Sequence, residues 1–120
     1  MHDVYALTDI HGHYGLYRAA IDWCMEQDPE CSIVFCGDAC DRGSDGYRIM
    51  RELLDNPQVV YLKGNHEDMF ARAARFIIND YNGPKDPEVF SNYLHSLAMR
   101  DFYASQVADC LYNGGRPTLM

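Results

Sequence analysis

Three short apolar runs divide the first half of the chain. They cover residues 4–7, 33–35 and 59–62, and polar or glycine residues end each of them. Uninterrupted apolar runs of this length are typical of strands in parallel sheets, where helices cover both faces. The pattern therefore predicts three buried strands.

Helical patterns separate and follow these runs. In three segments, apolar residues recur at intervals of three and four positions, which places them on one face of an α-helix. Because strands and helices alternate with short connections, we expect a parallel βαβαβ core with right-handed crossovers. The predicted buried faces are Leu16, Ala20 and Trp23 in the first helix, Tyr47, Met50 and Leu54 in the second, and Met69, Ala73, Phe76 and Ile77 in the third.

The alternation stops at residues 79–87. The turn signal Asn82-Gly83-Pro84 lies there, and Asp86-Pro87 is typical of a helix N-terminus. A fourth helical face follows, made of Phe90, Tyr93, Leu94 and Leu97.

Residues 100–111 are predicted to be helical and residues 113–117 to form a loop. We expect one partial domain over residues 1–120. Its metal-site core would span residues 1–78, and a helical segment with a glycine loop would span residues 87–120.

Composition narrows the functional classes. The chain has 120 residues and a formal net charge of -8, without a stripe of Lys and Arg, which argues against a nucleic-acid partner. No apolar run approaches the ~20 residues of a membrane-spanning helix, and the N-terminus has no basic signal region. We therefore expect a cytoplasmic protein without a membrane partner. Five cysteines without paired spacing are expected to be reduced.

Polar residues that bind metals or act on substrates follow each apolar run. Because the carboxyl ends of parallel strands meet at one edge of a sheet, we expect these residues to share one pocket. Carboxylate, imidazole and amide ligands together predict a metal site there. The clusters are Asp9-Ile10-His11-Gly12-His13, Gly37-Asp38-Ala39-Cys40-Asp41-Arg42-Gly43 and Gly64-Asn65-His66-Glu67.

The first two clusters carry the acidic ligands. Asp9 and His11 are two residues apart, so both side chains of an extended segment can close on one cation. Gly37 permits a tight turn that leaves Asp38 free to bridge two cations. Asp41 need not be a metal ligand, because a carboxylate there can instead orient a histidine.

Two residues of the clusters admit more than one interpretation. Arg42 presents a planar group of donors that matches phosphate oxygens, or it forms an ion pair with a neighbouring aspartate in a glycine turn. Asn65 supplies an amide oxygen as a metal ligand, or it is the N-cap of the next helix. His66 beside it is placed to act on a substrate.

The three clusters resemble the N-terminal signature motifs of the calcineurin-like metallophosphoesterases. The matching residues are Asp9-x-His11-Gly12, Gly37-Asp38-x-x-Asp41-Arg42-Gly43 and Gly64-Asn65-His66-Glu67. The Asp-Arg-Gly and Asn-His-Glu forms are most similar to bacterial and bacteriophage serine/threonine phosphoprotein phosphatases. The resemblance implies an α/β fold, the N-terminal half of a two-sheet sandwich.

The resemblance also implies roles for the motif residues. Asp9, His11 and Asp38 would hold a first metal, and Asp38 and Asn65 a second. His66 would be the general acid and Asp41 would hold it. Arg42, with Asn65, would bind the phosphoryl group of a phosphoprotein or phosphopeptide substrate. Two divalent ions, manganese first and iron or zinc as alternatives, would activate water for hydrolysis of the phosphomonoester.

The chain departs from the family pattern in its length. Two further histidine ligands and a second arginine lie in a C-terminal half of the family that has no counterpart before Met120. We therefore expect at most one tightly held metal, self-association through the apolar surface that the missing half would cover, and little phosphatase activity unless that half is supplied. Two alternatives stay open, namely a non-catalytic metal-binding or interaction module and a dinucleoside polyphosphate hydrolase.

Overall fold

The computed structural model of the chain describes residues 1–98, 110–111 and 114–119. Strands and helices alternate through its first 80 residues, and helices follow. The strands are β1 (Val4–Leu7), β2 (Ser32–Phe35) and β3 (Val59–Tyr61), and the helices are α1 (Tyr14–Gln27), α2 (Gly46–Asp55), α3 (Asn65–Asp80), α4 (Pro87–Ala98) and α5 (Arg116–Leu119).

The strands form a parallel sheet in the order β1-β2-β3. Tyr5 pairs with Ile33, and Ile33 pairs with Val59. Because both crossovers run in the same direction along the sheet, right-handed connections place α1 and α2 on the same face. Ile33 and Phe35 are fully buried beneath these helices. The α/β fold and the parallel βαβαβ core are confirmed.

The opposite face of the sheet is open. This open face consists of Val4, Ala6, Val34 and Val60, which alternate with the residues that contact the helices. Val4 is 67% exposed and Val60 is 55% exposed. The prediction that helices cover both faces is wrong within the described residues, because α1 and α2 lie on one side only.

Helix α1 buries a different face from the predicted one. Tyr17, Ile21 and Cys24 are its buried residues, whereas Leu16 is 65% exposed. The sequence contains two apolar stripes with the same spacing, offset by one residue, and periodicity does not choose between them. Trp23 instead packs its ring edge-on against Tyr5 at the border of the sheet, with 5.4 Å between centroids.

The prediction for α2 is only partly right. Met50 is buried as expected, together with Ile49 and Leu53. Tyr47 and Leu54, which the periodicity predicts on the same face, are exposed. As in α1, the buried stripe lies beside the predicted one.

Helices α3 and α4 agree with the sequence pattern, except that the Leu97 side chain lies outside the described residues and is not tested. Ala73 and Ile77 of α3 are buried in a second apolar cluster together with Leu94 of α4. Helix α4 begins at Pro87 as predicted, and Asp86 Oδ1 accepts hydrogen bonds from the amides of Glu88 and Val89 at 2.9 and 3.1 Å.

The C-terminal predictions are tested only in part. Cys110 and Leu111 are helical, whereas residues 100–109 of the predicted helix lie outside the described residues. Gly114 lies in a turn, as expected of a glycine loop. Residues 116 and 117, predicted as loop, instead belong to α5, so this part of the prediction is wrong. The division into a core at 1–78 and a segment at 87–120 stays a prediction.

Among the described helices, none is both long enough and apolar enough to cross a membrane.

Candidate functional site

The loops after β1 and β2 are joined backbone to backbone. The amide of Asp9 donates to Gly37 O at 3.2 Å, and the amide of His11 donates to Asp38 O at 3.0 Å. Gly37 has a φ of 99°, and a side chain at this position would clash with the backbone of Gly64 after β3. Glycine is therefore required for the close approach of the loops.

These loops contain an unusual backbone conformation. Asp9, His11, Asp38, Asp41 and Arg42 all have φ values between 47° and 71°. This left-handed region costs an L-residue on the order of 1–2 kcal/mol. Every non-glycine residue that adopts it in the described part of the chain lies in the predicted clusters. Strain concentrated in this way is a mark of functional sites.

Asp9, His11 and Asp38 form a compact set, here called the cation group. One ligand atom from each lies within 4.8 Å of the others. His11 Nδ1 is 3.0 Å from Cys40 O, so the ring nitrogen that donates is Nδ1. The other ring nitrogen, Nε2, lies 3.4 Å from Asp9 Oδ1.

The cation group fits a divalent metal ion. Two carboxylates and one imidazole are ligands that manganese, iron and zinc accept. The hydroxyl of Thr8 donates to Asp9 Oδ2 at 2.7 Å and, together with His11, holds the pKa of the Asp9 carboxyl below its ordinary value. Asp9 is therefore ionised at neutral pH, as a metal ligand must be.

Asp41 and His66 form a buried pair, here called the acid pair. Asp41 is fully buried and His66 is 5% exposed. His66 Nδ1 lies 2.9 Å from Asp41 Oδ2, which leaves the other ring nitrogen free to act on a substrate. The predicted contact of Asp41 with a histidine is present, and Asp41 pairs with His66 rather than with its neighbour Arg42.

The acid pair adjoins the cation group. The ring centroids of His11 and His66 are 4.6 Å apart. The amide of His66 also donates to Asp38 Oδ1 at 3.0 Å. The structure therefore brings five of the predicted site residues together at the carboxyl ends of the strands.

The remaining two predicted residues stand at the edge of this arrangement. Arg42 and Asn65 are both exposed. Asn65 is the first residue of α3, and Gly64 occupies the N-cap position, so the N-cap interpretation of Asn65 is wrong. Metal binding by Asn65 and phosphate binding by Arg42 stay predictions.

Glu67 has a supporting role that the sequence reasoning did not assign. Its Oε1 accepts hydrogen bonds from the amides of Asp38 and Gly64 at 2.7 and 2.9 Å. Its Oε2 accepts from the amide of Ala39 and the hydroxyl of Tyr61, both at 2.7 Å. One carboxylate thus joins the loops after β2 and β3.

The hydrogen bonds also decide the charge of Glu67. Burial alone would raise the pKa of this carboxyl. The donated hydrogen bonds from Ala39, Asp38 and Tyr61 outweigh burial and lower it. A glutamate three residues after an N-cap position was the available sequence signal, because this spacing is that of a capping box.

Thr118 is a second residue that the sequence did not reveal. Its hydroxyl oxygen accepts a hydrogen bond from the amide of Asp41 at 2.9 Å, although the two residues are 77 positions apart. No local pattern marks such a contact.

One comparison with known proteins bears on this site. The sequence profile of the family described as calcineurin-like phosphoesterase matches residues 2–117. No curated protein matches the chain. The matched range contains all the residues of the cation group and the acid pair. This chain therefore belongs to the calcineurin-like phosphoesterase family, whose members use divalent metals to hydrolyse phosphoesters.

Proposed function

We propose that the chain hydrolyses phosphoserine and phosphothreonine esters of proteins. Membership of the family supports a metal-dependent phosphoesterase. The observation that carries the proposal is the buried acid pair, whose His66 ring lies 4.6 Å from the His11 ring of the cation group. A proton donor beside a metal site is the combination that cleavage of an alkyl phosphate ester needs.

Asp9, His11 and Asp38 would hold one divalent cation, and Asp38 with Asn65 a second. Manganese is the proposed metal, with iron or zinc as alternatives. Bound cations would supply Lewis acidity toward the phosphoryl oxygens and lower the pKa of a water molecule. The backbone bonds between the loops hold the cation group in place, so little rearrangement is needed on binding.

His66 is proposed as the general acid. Asp41 Oδ2 holds Nδ1 of the ring, so Nε2 is the nitrogen that would carry the proton to the leaving alkoxide. The Asp41 carboxylate also compensates the positive charge of the protonated ring. Arg42 would bind the phosphoryl oxygens through its guanidinium group, which its exposed position leaves available.

The substrate class rests on the form of two motifs. Asp41-Arg42-Gly43 and Asn65-His66-Glu67 resemble the phosphoprotein phosphatases more closely than the dinucleoside polyphosphate hydrolases. A phosphopeptide would present one phosphoryl group with a poor leaving group, for which a general acid is most useful. The alternatives are a dinucleoside polyphosphate hydrolase and a non-catalytic metal-binding module.

A leaving-group comparison tests this proposal. With manganese supplied, His66→Ala should reduce kcat on a phosphoserine peptide by about 10²- to 10⁴-fold. The loss on an aryl phosphate should be smaller, because an aryl oxide leaves without a proton. His95→Ala, at an exposed histidine of α4, is the matched control and should change neither rate.

Three outcomes would contradict the proposal. Equal losses on both esters would remove the general-acid role. Faster hydrolysis of a dinucleoside polyphosphate than of the peptide would favour that alternative. Metal binding without any turnover would favour the non-catalytic module.

A further inference from the structure

The C-terminal turn, residues 114–119, holds the backbone of the loop that carries the acid pair. The amide of Asp41 donates to Thr118 Oγ1 at 2.9 Å, and the amide of Arg42 donates to Gly114 O at 2.6 Å. Both acceptors come from the far end of the described chain. Two successive amides of the loop therefore depend on a segment that is distant in sequence.

The conformation of the loop explains this dependence. Asp41 and Arg42 have φ values of 71° and 69°. Two successive left-handed residues do not continue a helix or a strand, so regular structure does not supply acceptors for their amides. Asp41 is fully buried, which excludes water as a ready substitute. The acceptors in the C-terminal turn satisfy both groups.

The turn is shaped for this contact. Gly114 has a φ of 87°, and a Cβ atom at this position would lie 2.8 Å from Arg42 Cγ, so only glycine fits. The amide of Thr118 donates to Gly115 O at 3.1 Å, which fixes the backbone that carries the hydroxyl. Thr118 is 8% exposed, so its Oγ1 atom is enclosed with its partner.

The backbone hydrogen bonds from the C-terminal turn matter for the acid pair because only one of the two Asp41 carboxylate oxygens has a nitrogen or oxygen partner. Asp41 Oδ2 contacts His66 Nδ1, but Oδ1 receives no hydrogen bond from any nitrogen or oxygen of the described residues. Burial, followed by the charge of Asp41, raises the pKa of the neighbouring Cys40 thiol, so that thiol stays neutral. Besides the bond to His66 and the contact with the Cys40 thiol, the position of the carboxylate depends on where the Asp41 backbone is held.

We propose that Thr118 is a positioning residue for the acid pair. Its hydroxyl fixes the backbone of Asp41, Asp41 fixes the His66 ring, and the ring then presents Nε2 to the leaving group. The inference rests on the proposed role of His66 as general acid. It assigns to the C-terminal turn a part in proton transfer in addition to its part in packing.

Two substitutions separate the effect of the Thr118 hydroxyl from the effect of its side-chain volume. Thr118→Val keeps the volume and removes the acceptor, whereas Thr118→Ser keeps the hydroxyl. Thr118→Val should reduce kcat on a phosphoserine peptide about tenfold, the loss expected from one hydrogen bond. KM and manganese affinity should stay unchanged, and Thr118→Ser should restore kcat to within about twofold of the parent.

A second measurement does not depend on turnover. The ring proton on His66 Nδ1 should give a downfield NMR signal in the parent, because it is hydrogen-bonded to Asp41. This signal should move or disappear in Thr118→Val and persist in Thr118→Ser. A purely structural role would lower the unfolding temperature of Thr118→Val but leave the signal of its folded fraction in place, which would overturn the inference.

Together, kcat and the His66 signal show whether the proposed function or the positioning role of Thr118 fails. An inactive parent whose His66 signal responds to Thr118→Val would reject the proposed function and keep the positioning role. An active parent with the same kcat and the same His66 signal in Thr118→Val would keep the function and reject the positioning role.

If Thr118→Val does not fold, amide hydrogen exchange in the parent protein tests whether the C-terminal turn holds the loop. The amides of Asp41 and Arg42 should exchange as slowly as the amide of Ile33, which is bonded within the sheet region. Fast exchange of both loop amides would show that the C-terminal turn does not hold them, and would overturn the inference.

Discussion

The cation group and the acid pair lie side by side, yet different parts of the chain hold them. Asp9, His11 and Asp38 follow β1 and β2, and backbone hydrogen bonds between the two adjacent loops hold them. Asp41 is held by His66 at the start of α3 and by Thr118 of the C-terminal turn. The cation group thus lies in two adjacent loops, with Asp38 also bonded to the start of α3, whereas the acid pair also requires the far end of the chain.

The cation group is also more exposed to solvent than the acid pair. Asp9 is exposed, so water solvates its charge when no cation is bound. Asp41 is fully buried, and a buried carboxylate without partners costs several kcal/mol. The cation group therefore tolerates an empty state, whereas the acid pair must be assembled during folding. Substitutions on the two sides should separate metal binding from proton transfer.

Asp38→Asn should have the largest effect, because Asp38 serves both sides. It belongs to the cation group, and its Oδ1 accepts from the amide of His66. Losing a charged ligand should weaken manganese binding by about 100-fold or more, with turnover lost in parallel. Elemental analysis and metal titration measure the effect. Asp55→Asn, at an exposed position that ends α2, is the control, and an unchanged metal content in Asp38→Asn would remove the ligand assignment.

Asp41→Asn should affect the acid pair alone. The amide neither compensates a protonated ring nor favours a proton on Nδ1, so kcat on an alkyl phosphate should fall about 100-fold. Manganese affinity should stay within about twofold of the parent, because Asp41 lies outside the cation group. Asp22→Asn, an exposed aspartate of α1, is the matched control. A parallel loss of metal binding would show that the two sides are not separable.

The same difference explains how much the sequence revealed. The residues of the cation group lie within two residues of strand ends or glycine turns, and the alternation of strands and helices fixes where those ends meet. The fold class and these residues were therefore predictable. The bond between Thr118 and Asp41 joins positions 77 apart, and its geometry exists only after the chain has folded.

The errors in the helices have a different cause. Helix α1 carries two apolar stripes of equal spacing, one with Leu16 and Trp23 and the other with Tyr17 and Ile21. Both satisfy the same periodicity, and the choice depends on which stripe fits beneath the sheet. The role of Glu67 was missed for another reason, because two of its four partners, Asp38 and Ala39, lie in the loop after β2.

Glu67→Gln tests the connection between the loops. Glutamine has one oxygen where Glu67 has two, and its amino group would meet backbone N–H donors. The free energy of unfolding should fall by about 2–3 kcal/mol. Chemical denaturation measures it, and Glu26→Gln, an exposed glutamate of α1, should stay within about 0.5 kcal/mol of the parent.

The pH dependence of stability gives an independent check on Glu67. Hydrogen bonds lower its folded-state pKa below the ordinary value of 4.5. Its contribution to stability is therefore complete above about pH 4.5 and is lost as the pH falls through the folded-state value. Glu67→Gln should flatten this acidic part of the stability curve. Parallel curves for parent and variant would show that folding does not lower the pKa of Glu67.

Substitutions on the open face of the sheet should affect the site least. Val60 is 55% exposed on the face opposite α1 and α2. Val60→Lys should therefore change stability by no more than about 0.5 kcal/mol and leave manganese affinity and kcat unchanged. Self-association through this face stays a prediction, and a charge on it should reduce the mass measured by light scattering. Val59→Lys is the contrasting variant, because Val59 packs against the helix-covered core and a charge there should destabilise the fold. A change in metal binding or turnover in Val60→Lys would show that the open face supports the site, contrary to the local character of the cation group.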